Sequence, residues 1–153
     1  MAVRPLRFEG DPVLLERAAA VTAFDEALAT LVRDMFETMY DAPGRGLAAP
    51  QIGVGARVFV VDTAWKEGEP APMIFVNPQI TARAEQERVG TEACLSIPDK
   101  SFDVSRPTWI DVNWQGLDGA WHKSRFDSVE VVCICHEYDH LDGKLITQTG
   151  TLQ

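Results

Sequence analysis

The stretch Cys135-His136-Glu137-Tyr138-Asp139-His140-Leu141 places two histidines four residues apart, with a glutamate directly after the first. In an α-helix a four-residue step turns the chain by about 400°, so both imidazoles project from one face and can reach one metal ion. Glu137 points away from the line joining them but stays close enough to meet a metal-bound water. The spacing therefore predicts a helical H-E-x-x-H hydrolytic site. The alternative is a surface helix that carries two histidines by chance.

Two helices are predicted from the apolar pattern. From about Ser128 to Leu141 the chain is apolar on most sides, which predicts a buried central helix that ends at Gly143. A second helix is predicted over Asp25–Tyr40, because apolar residues recur there at three- and four-residue steps. Its apolar positions are Leu28, Leu31, Val32, Met35, Phe36 and Met39.

Strands are predicted between these helices from β-branched and aromatic content. They are Arg57–Asp62, Met73–Asn77 with Pro78 closing it, and a hairpin of Thr108–Trp114 and Trp121–Phe126 with a two-residue turn signal at Asp118-Gly119. The glycine-rich segment Gly44–Gly53 is interpreted as a loop that can approach a ligand, and residues 79–90 show little periodicity. The order predicts an α+β fold in which antiparallel strands wrap a central C-terminal metal-binding helix.

Length and composition limit the possible functions. A chain of 153 residues favours one domain spanning 1–153. Its 46% hydrophobic and 24% charged residues are typical of a soluble protein, and no run approaches the ~20 apolar residues of a membrane span. The first residues lack a signal peptide, so we expect a cytoplasmic protein. A net charge of -9 argues against binding to nucleic acid or to anionic membranes.

A metal site needs further ligands, and Cys94 is the best candidate for the third. It lies in an extended segment, Thr91–Pro98, that can deliver a thiolate against the helix. Cys133 and Cys135 lie close to His136 in sequence but do not share its direction well. A ligand set of one cysteine and two histidines leaves the fourth tetrahedral position open, which indicates a catalytic metal. The remaining histidine, His122, is interpreted as an ordinary exposed side chain.

Three motifs resemble the signature motifs of the peptide deformylases, in order and at similar spacing. They are Gly44–Gln51, Glu92–Ser96 and His136–Leu141. The resemblance implies a hydrolase that cleaves a formamide bond, removing the formyl group from formyl-methionyl peptides. It also implies one divalent metal held by Cys94, His136 and His140, with Fe(II) favoured and Zn, Ni or Co as alternatives.

The resemblance also implies roles for the surrounding residues. Glu137 is expected to take a proton from water and pass it to the leaving amine. The side-chain amide of Gln51 and the backbone N–H of Leu95 are expected to donate to the oxyanion. The backbone of Gly46 and the strand around Ala93 are expected to lie along the peptide. Independently of the resemblance, a carboxylate such as Asp139, one residue before a ligand in a buried helix, is expected to need a partner, for which Arg106 is the candidate.

Three positions depart from the family's usual residues: Arg45 replaces an aliphatic residue, Ala93 a glycine and Cys135 a glutamine. These departures leave open a non-catalytic or altered-substrate protein that binds peptide N-termini. Arg45 offers a fixed positive charge if its guanidinium faces the cleft, and the alternative is that it points to solvent. The methyl group of Ala93 is expected to narrow the cleft or to strain a position that glycine would fill freely. We therefore expect weak activity on ordinary formyl-Met peptides, and better activity when an acidic or very small residue follows the formylated one. A ribosome-docking helix is expected to be absent, since Lys144–Gln153 is short.

Overall fold

Antiparallel strands enclose a C-terminal helix, as the sequence predicts. The computed structural model describes residues 2–153. Its α-helices are α1 (Glu26–Asp41), α2 (Val129–Leu141) and the short α3 (Ile146–Thr149). Its strands are β1 (Gly46–Ala48), β2 (Val58–Val61), β3 (Met73–Arg83), β4 (Glu87–Cys94), β5 (Ile97–Pro107), β6 (Ile110–Gln115), β7 (Trp121–Phe126) and β8 (Thr151–Leu152).

The strands form two antiparallel sheets, and α2 packs against both of them. One sheet has the order β1-β2-β3-β6-β7, and the other has the order β4-β5-β8. Helix α2 contacts β1 and β2 of the first sheet and β5 of the second. Strands β1 and β4 are edge strands, and both line the cleft that leads to the motif on α2.

Helix α1 follows its predicted bounds within one residue. The carboxylate of Asp25 caps it by accepting a hydrogen bond from the backbone N–H of Leu28 at 3.1 Å. Its apolar stripe packs on the outer face of β1 and β2, where Met35 and Met39 are fully buried. The spacing of apolar residues predicts this helix well because one of its faces is covered and the other is solvated.

Helix α2 is buried along its central and C-terminal turns but not at its start. Ile134 and Leu141 are fully buried and pack with Phe59 and Phe75 of the first sheet. The expectation that the whole helix is buried is wrong for its first turns, because Val129 is 63% exposed and Val132 is 37% exposed. These two valines line an open cleft instead of the core.

Two strand predictions need correction. Strand β3 does not end at Asn77 but continues through Pro78 to Arg83, with a register shift between Val76 and Gln79 that accommodates the proline. Residues 87–107 form the long pair β4 and β5, joined by the turn at Leu95-Ser96. The side chains of Glu87–Thr91 are exposed on both faces of β4. This half of the pair therefore lacks the alternation of polar and apolar residues that predicts a strand.

The loop predictions also change. The segment Gly44–Gly53 is not irregular throughout, since it contains β1 and a 3₁₀-helix, Ala49–Ile52. The hairpin of β6 and β7 is present, but residues 116–120 form a longer connection than the predicted two-residue turn. After α3 the chain ends in β8, which pairs with Phe102 and Asp103 of β5. None of the helices within residues 2–153 has the length and apolar character needed to cross a bilayer.

Candidate metal centre

Cys94, His136 and His140 converge on one point. Their ligand atoms all lie within 4.8 Å of one another, and all three residues are buried. The Sγ of Cys94 is 3.5 Å from Nε2 of His140, and the two imidazole centroids are 5.1 Å apart. One thiolate and two imidazoles with an open fourth direction fit a divalent transition metal in a catalytic site. The three predicted ligands are therefore together, while Cys133 and Cys135 lie outside this group.

Glu92 orients one of the histidines. Its Oε1 is 3.0 Å from Nδ1 of His136, and both carboxylate oxygens accept hydrogen bonds from Arg106 at 2.9 Å. Burial alone would raise the pKa of Glu92, but the hydrogen bonds from Arg106 and His136 hold it at about 2. The predicted partnership of Asp139 with Arg106 is present, with Nη1 2.7 Å from Oδ2. One buried guanidinium thus joins two carboxylates behind the histidines.

The orienting role of Glu92 was not found from the sequence. A signal was available, because side chains two residues apart on a strand share a face. Glu92 lies two residues before Cys94 on β4, so both side chains face α2. Ser96 was missed as well, and its hydroxyl orients the amide of Gln51.

Glu137 lies beside the ligands in a desolvated position. It is 5% exposed, and its Oε1 has no hydrogen-bond partner in the part of the chain that the structure describes. Burial raises the pKa of this carboxyl to about 7. A buried, unpaired carboxylate at a cluster of metal ligands is suited to exchanging a proton with a reacting group.

Gly46 leaves the space that Glu137 occupies. A Cβ at Gly46 would lie 2.7 Å from Oε2 of Glu137 and 2.9 Å from Sγ of Cys133, closer than side-chain carbons approach such atoms. The strand β1 can therefore pass next to the glutamate only because this residue has no side chain. The missing side chain at Gly46 thus leaves room for the carboxylate of Glu137 at its observed position.

The amide of Gln51 is fixed in one orientation. Its Oε1 accepts a hydrogen bond from the backbone N–H of Ala48 at 3.0 Å, and its Nε2 donates to Oγ of Ser96 at 3.1 Å. The Nε2 is also 3.7 Å from Sγ of Cys94, so the donor end of the amide faces the ligands. Leu95, which directly follows Cys94, lines the same cleft.

An open cleft of about 1400 Å³ leads to this centre. It is lined by the segment Gly44–Gly46, by β4 and by the exposed start of α2. Arg45 and Ala93 both lie in its wall, but Nη2 of Arg45 is 2.5 Å from Oε1 of Glu67 at the rim. Cys135 faces away, next to a separate cavity of about 140 Å³ behind Arg106.

His122 is remote from this centre. It is exposed on β7 and stacks on Trp114, with the ring centroids 5.7 Å apart. This placement agrees with its interpretation as an ordinary surface residue.

Comparison with known proteins agrees with the geometry. The family model described as polypeptide deformylase matches residues 3–151. A peptide deformylase of Zymomonas mobilis is 45% identical over 149 residues, which cover 95% of this chain and 84% of the relative. A peptide deformylase of Brucella suis is 47% identical, over 95% of this chain and 83% of that protein. The crystal structure of the Thermotoga maritima peptide deformylase has a TM-score of 0.91 and 37% identity, covering 96% of this chain and 97% of that one.

Proposed function

This chain belongs to the polypeptide deformylase family and is a metal-dependent hydrolase of N-terminal formyl-methionyl peptides; we propose that Cys94, His136 and His140 hold its cation and that Glu137 moves the proton. The observation that carries the assignment of residues is the convergence of the three buried ligand atoms within 4.8 Å. Fe(II) is the favoured cation, with Zn, Ni or Co as alternatives, because thiolate and imidazole suit all of these ions.

When bound at these ligands, a divalent cation supplies Lewis acidity that activates water near neutral pH. Glu137 is placed to accept the proton that this water loses, since its carboxylate is desolvated and unpaired among the described residues. The same carboxyl then carries the proton to the amine that leaves when the formyl C–N bond breaks. Proton transfer by a positioned carboxylate contributes about 10² to 10⁴ in rate.

Two donors are placed to bond the formyl oxygen, which becomes an oxyanion when water attacks the formyl carbon. The Nε2 of Gln51 faces the ligands because Ala48 and Ser96 fix the orientation of the amide. The backbone N–H of Leu95 is placed close by, directly after Cys94 in the chain. Donors held by the protein in advance need no reorganisation during the reaction, and each contributes about 10² to 10³ in rate.

The peptide is proposed to lie between the two edge strands. Both β1 and β4 end their sheets, so each has backbone N–H and C=O groups directed toward the cleft. An extended peptide can pair with such an edge and place its first residue at the ligands. Gly46 supplies the β1 side and Ala93 the β4 side. The methyl group of Ala93 narrows this path, which favours a lower activity on ordinary formyl-Met peptides.

The partners follow from this reaction. Formylated peptide N-termini are the proposed substrates, and the cytoplasm is the proposed location. Binding to nucleic acid or membranes is not expected from the net charge of -9. The absence of ribosome docking stays a prediction, tested by co-sedimentation with ribosomes at several salt concentrations.

A formate-release assay tests the proposal. Anaerobically prepared protein loaded with Fe(II) or Ni(II) should release formate from formyl-Met-Ala, and the Glu137→Gln variant should not. Binding of the peptide without formate release by the wild type would instead support a non-catalytic peptide-binding protein.

A further inference from the structure

The cations around the cleft differ in whether they have a partner. Arg45 is paired with Glu67, and Nζ of Lys66 donates to the carbonyl of Pro43 at 3.1 Å. Arg88 and Lys100 also line the cleft and are exposed, but neither makes an ion pair or side-chain hydrogen bond within residues 2–153. Of these two, Arg88 lies on β4 itself, and its charge is available to a ligand.

The strand register explains why Arg88 has no partner. Arg88 lies directly opposite Arg106 on β5. All three guanidinium nitrogens of Arg106 donate hydrogen bonds to Glu92 or Asp139. Between Arg88 and Glu92 on the same face stands Gly90, where a Cβ would meet nothing within 4 Å. The cross-strand side offers Arg88 no free anion, because Arg106 is itself a cation and the carboxylates of Glu92 and Asp139 are bonded to it. The wall beside Arg88 is bare at Gly90.

The direction of β4 places this cation along the path of the peptide. The strand ends at Cys94, where the turn at Leu95-Ser96 closes it. A peptide with its formyl group at the ligands can therefore follow β4 only toward Glu87. Arg88 is six residues from Cys94, or about 20 Å at ~3.3 Å per residue. Because its side chain is long, it can meet the third to fifth residues of an extended peptide.

We propose that Arg88 is a specificity-determining residue that selects peptides with a carboxylate at their third to fifth positions. This inference rests on the proposed function. A guanidinium matches a carboxylate in both charge and hydrogen-bonding geometry. The chain carries a net charge of -9, so acidic peptides are repelled at long range, and Arg88 offsets this locally at the cleft. The carboxylate of the substrate would be the anionic partner that Arg88 lacks, because the residue opposite it on β5 is the cation Arg106.

The test uses three peptides that differ only in charge: formyl-Met-Ala-Ala-Glu-Glu-amide, the Gln-Gln form and the Lys-Lys form. The wild type should give the order Glu, Gln, Lys in kcat/KM, with about a two- to fivefold step for an exposed charge pair. Arg88→Gln should lower the Glu to Lys ratio toward one, Arg88→Glu should lower it further, and Arg88→Lys should keep part of the wild-type ratio. Salt at 1 M should remove the preference.

The matched control is Arg17→Gln, which removes one exposed positive charge away from the cleft and should keep the wild-type ratio. A ratio in the wild type that is near one, or that Arg88→Gln leaves unchanged, overturns the inference while formate release still supports the proposed function. Absence of formate release from all three peptides overturns the proposed function, and with it this inference.

Discussion

Nδ1 of His136 lies 3.0 Å from Oε1 of Glu92, and Arg106 holds that carboxylate in place through two of its nitrogens. Arg106→Gln would leave the buried Glu92 and the half-buried Asp139 without their cation. We expect a loss of about 3 to 5 kcal/mol in unfolding free energy and a 10- to 100-fold weaker metal affinity. Urea denaturation and metal titration measure the two effects. Unchanged metal affinity would show that Arg106 does not act on His136 through Glu92.

Glu137→Gln should keep the metal and lose about 10² to 10⁴ in kcat, because the amide cannot accept the proton. Metal content per chain and formate release are the two measurements. Glu130→Gln, on the same helix but outside the cleft lining, is the control and should keep its turnover. Loss of metal from Glu137→Gln would mean that the carboxylate is a ligand instead of a base.

Gly46→Ala should inactivate the enzyme with little loss of stability. The added Cβ would displace Oε2 of Glu137, which is the far end of a side chain and can move without the backbone. A shift of about 1 Å at a catalytic group can cost 10² in rate. Gly55→Ala is the control, since a Cβ there would meet nothing within 4 Å. Similar kcat values for the two variants would exclude the steric role of Gly46.

Asp62 should make part of the stability depend on pH. Its buried carboxylate accepts hydrogen bonds from the hydroxyl of Tyr40 and from the backbone N–H groups of Ala64, Trp65 and Ala71. Burial alone would raise the pKa of Asp62, but these bonds lower it below its usual value. A carboxyl with a lowered pKa in the folded state stabilises the fold above its unfolded pKa of about 3.9 and loses this effect as pH falls.

Asp62→Asn should therefore cost about 1 to 3 kcal/mol at pH 7 and progressively less below about pH 4. Thermal unfolding of both proteins from pH 7 to pH 3 measures the difference. A constant difference in unfolding free energy across this range would show that the charge of Asp62 contributes nothing.

The Fe(II) form should lose activity in air, because the cation is oxidised together with the Cys94 thiolate. The Ni(II) or Co(II) form should keep its activity under the same conditions. The half-lives of both forms in air-saturated buffer are the measurement. Equal half-lives would contradict the expectation that the iron form is the sensitive one.

The sequence predicted those parts of the site that follow from local spacing. One such part is the four-residue spacing of His136 and His140, and another is helix α1 with its cap and its apolar periodicity. Both depend only on residues that are close in the chain. Strand β4 was missed because the side chains of Glu87–Thr91 are exposed on both faces, so polar and apolar residues do not alternate there. Its partner β5 alternates in burial only from Phe102 onward. The pairing of Arg106 with Asp139 was anticipated, but the bridge through Glu92 to His136 required the register of β4.

The orientation of Arg45 was left open between cleft and solvent. The structure places its guanidinium on Glu67, a residue 22 positions away that no local pattern connects to it. A contribution of Arg45 to substrate preference stays a prediction. Glu67→Gln should free the cation and increase any preference for formyl-Met-Glu over formyl-Met-Lys, and Arg45→Ile should remove that increase.

The open edges of β1 and β4 have a consequence for how many substrates one such enzyme can serve. Every peptide has the same backbone, so binding through strand edges depends little on the side chains that follow the first residue. A side chain in the wall can then adjust the rate for a subset of peptides without excluding the others. An enzyme built in this way would be a generalist, suited to the many peptides that share the same first residue and differ in the residues that follow.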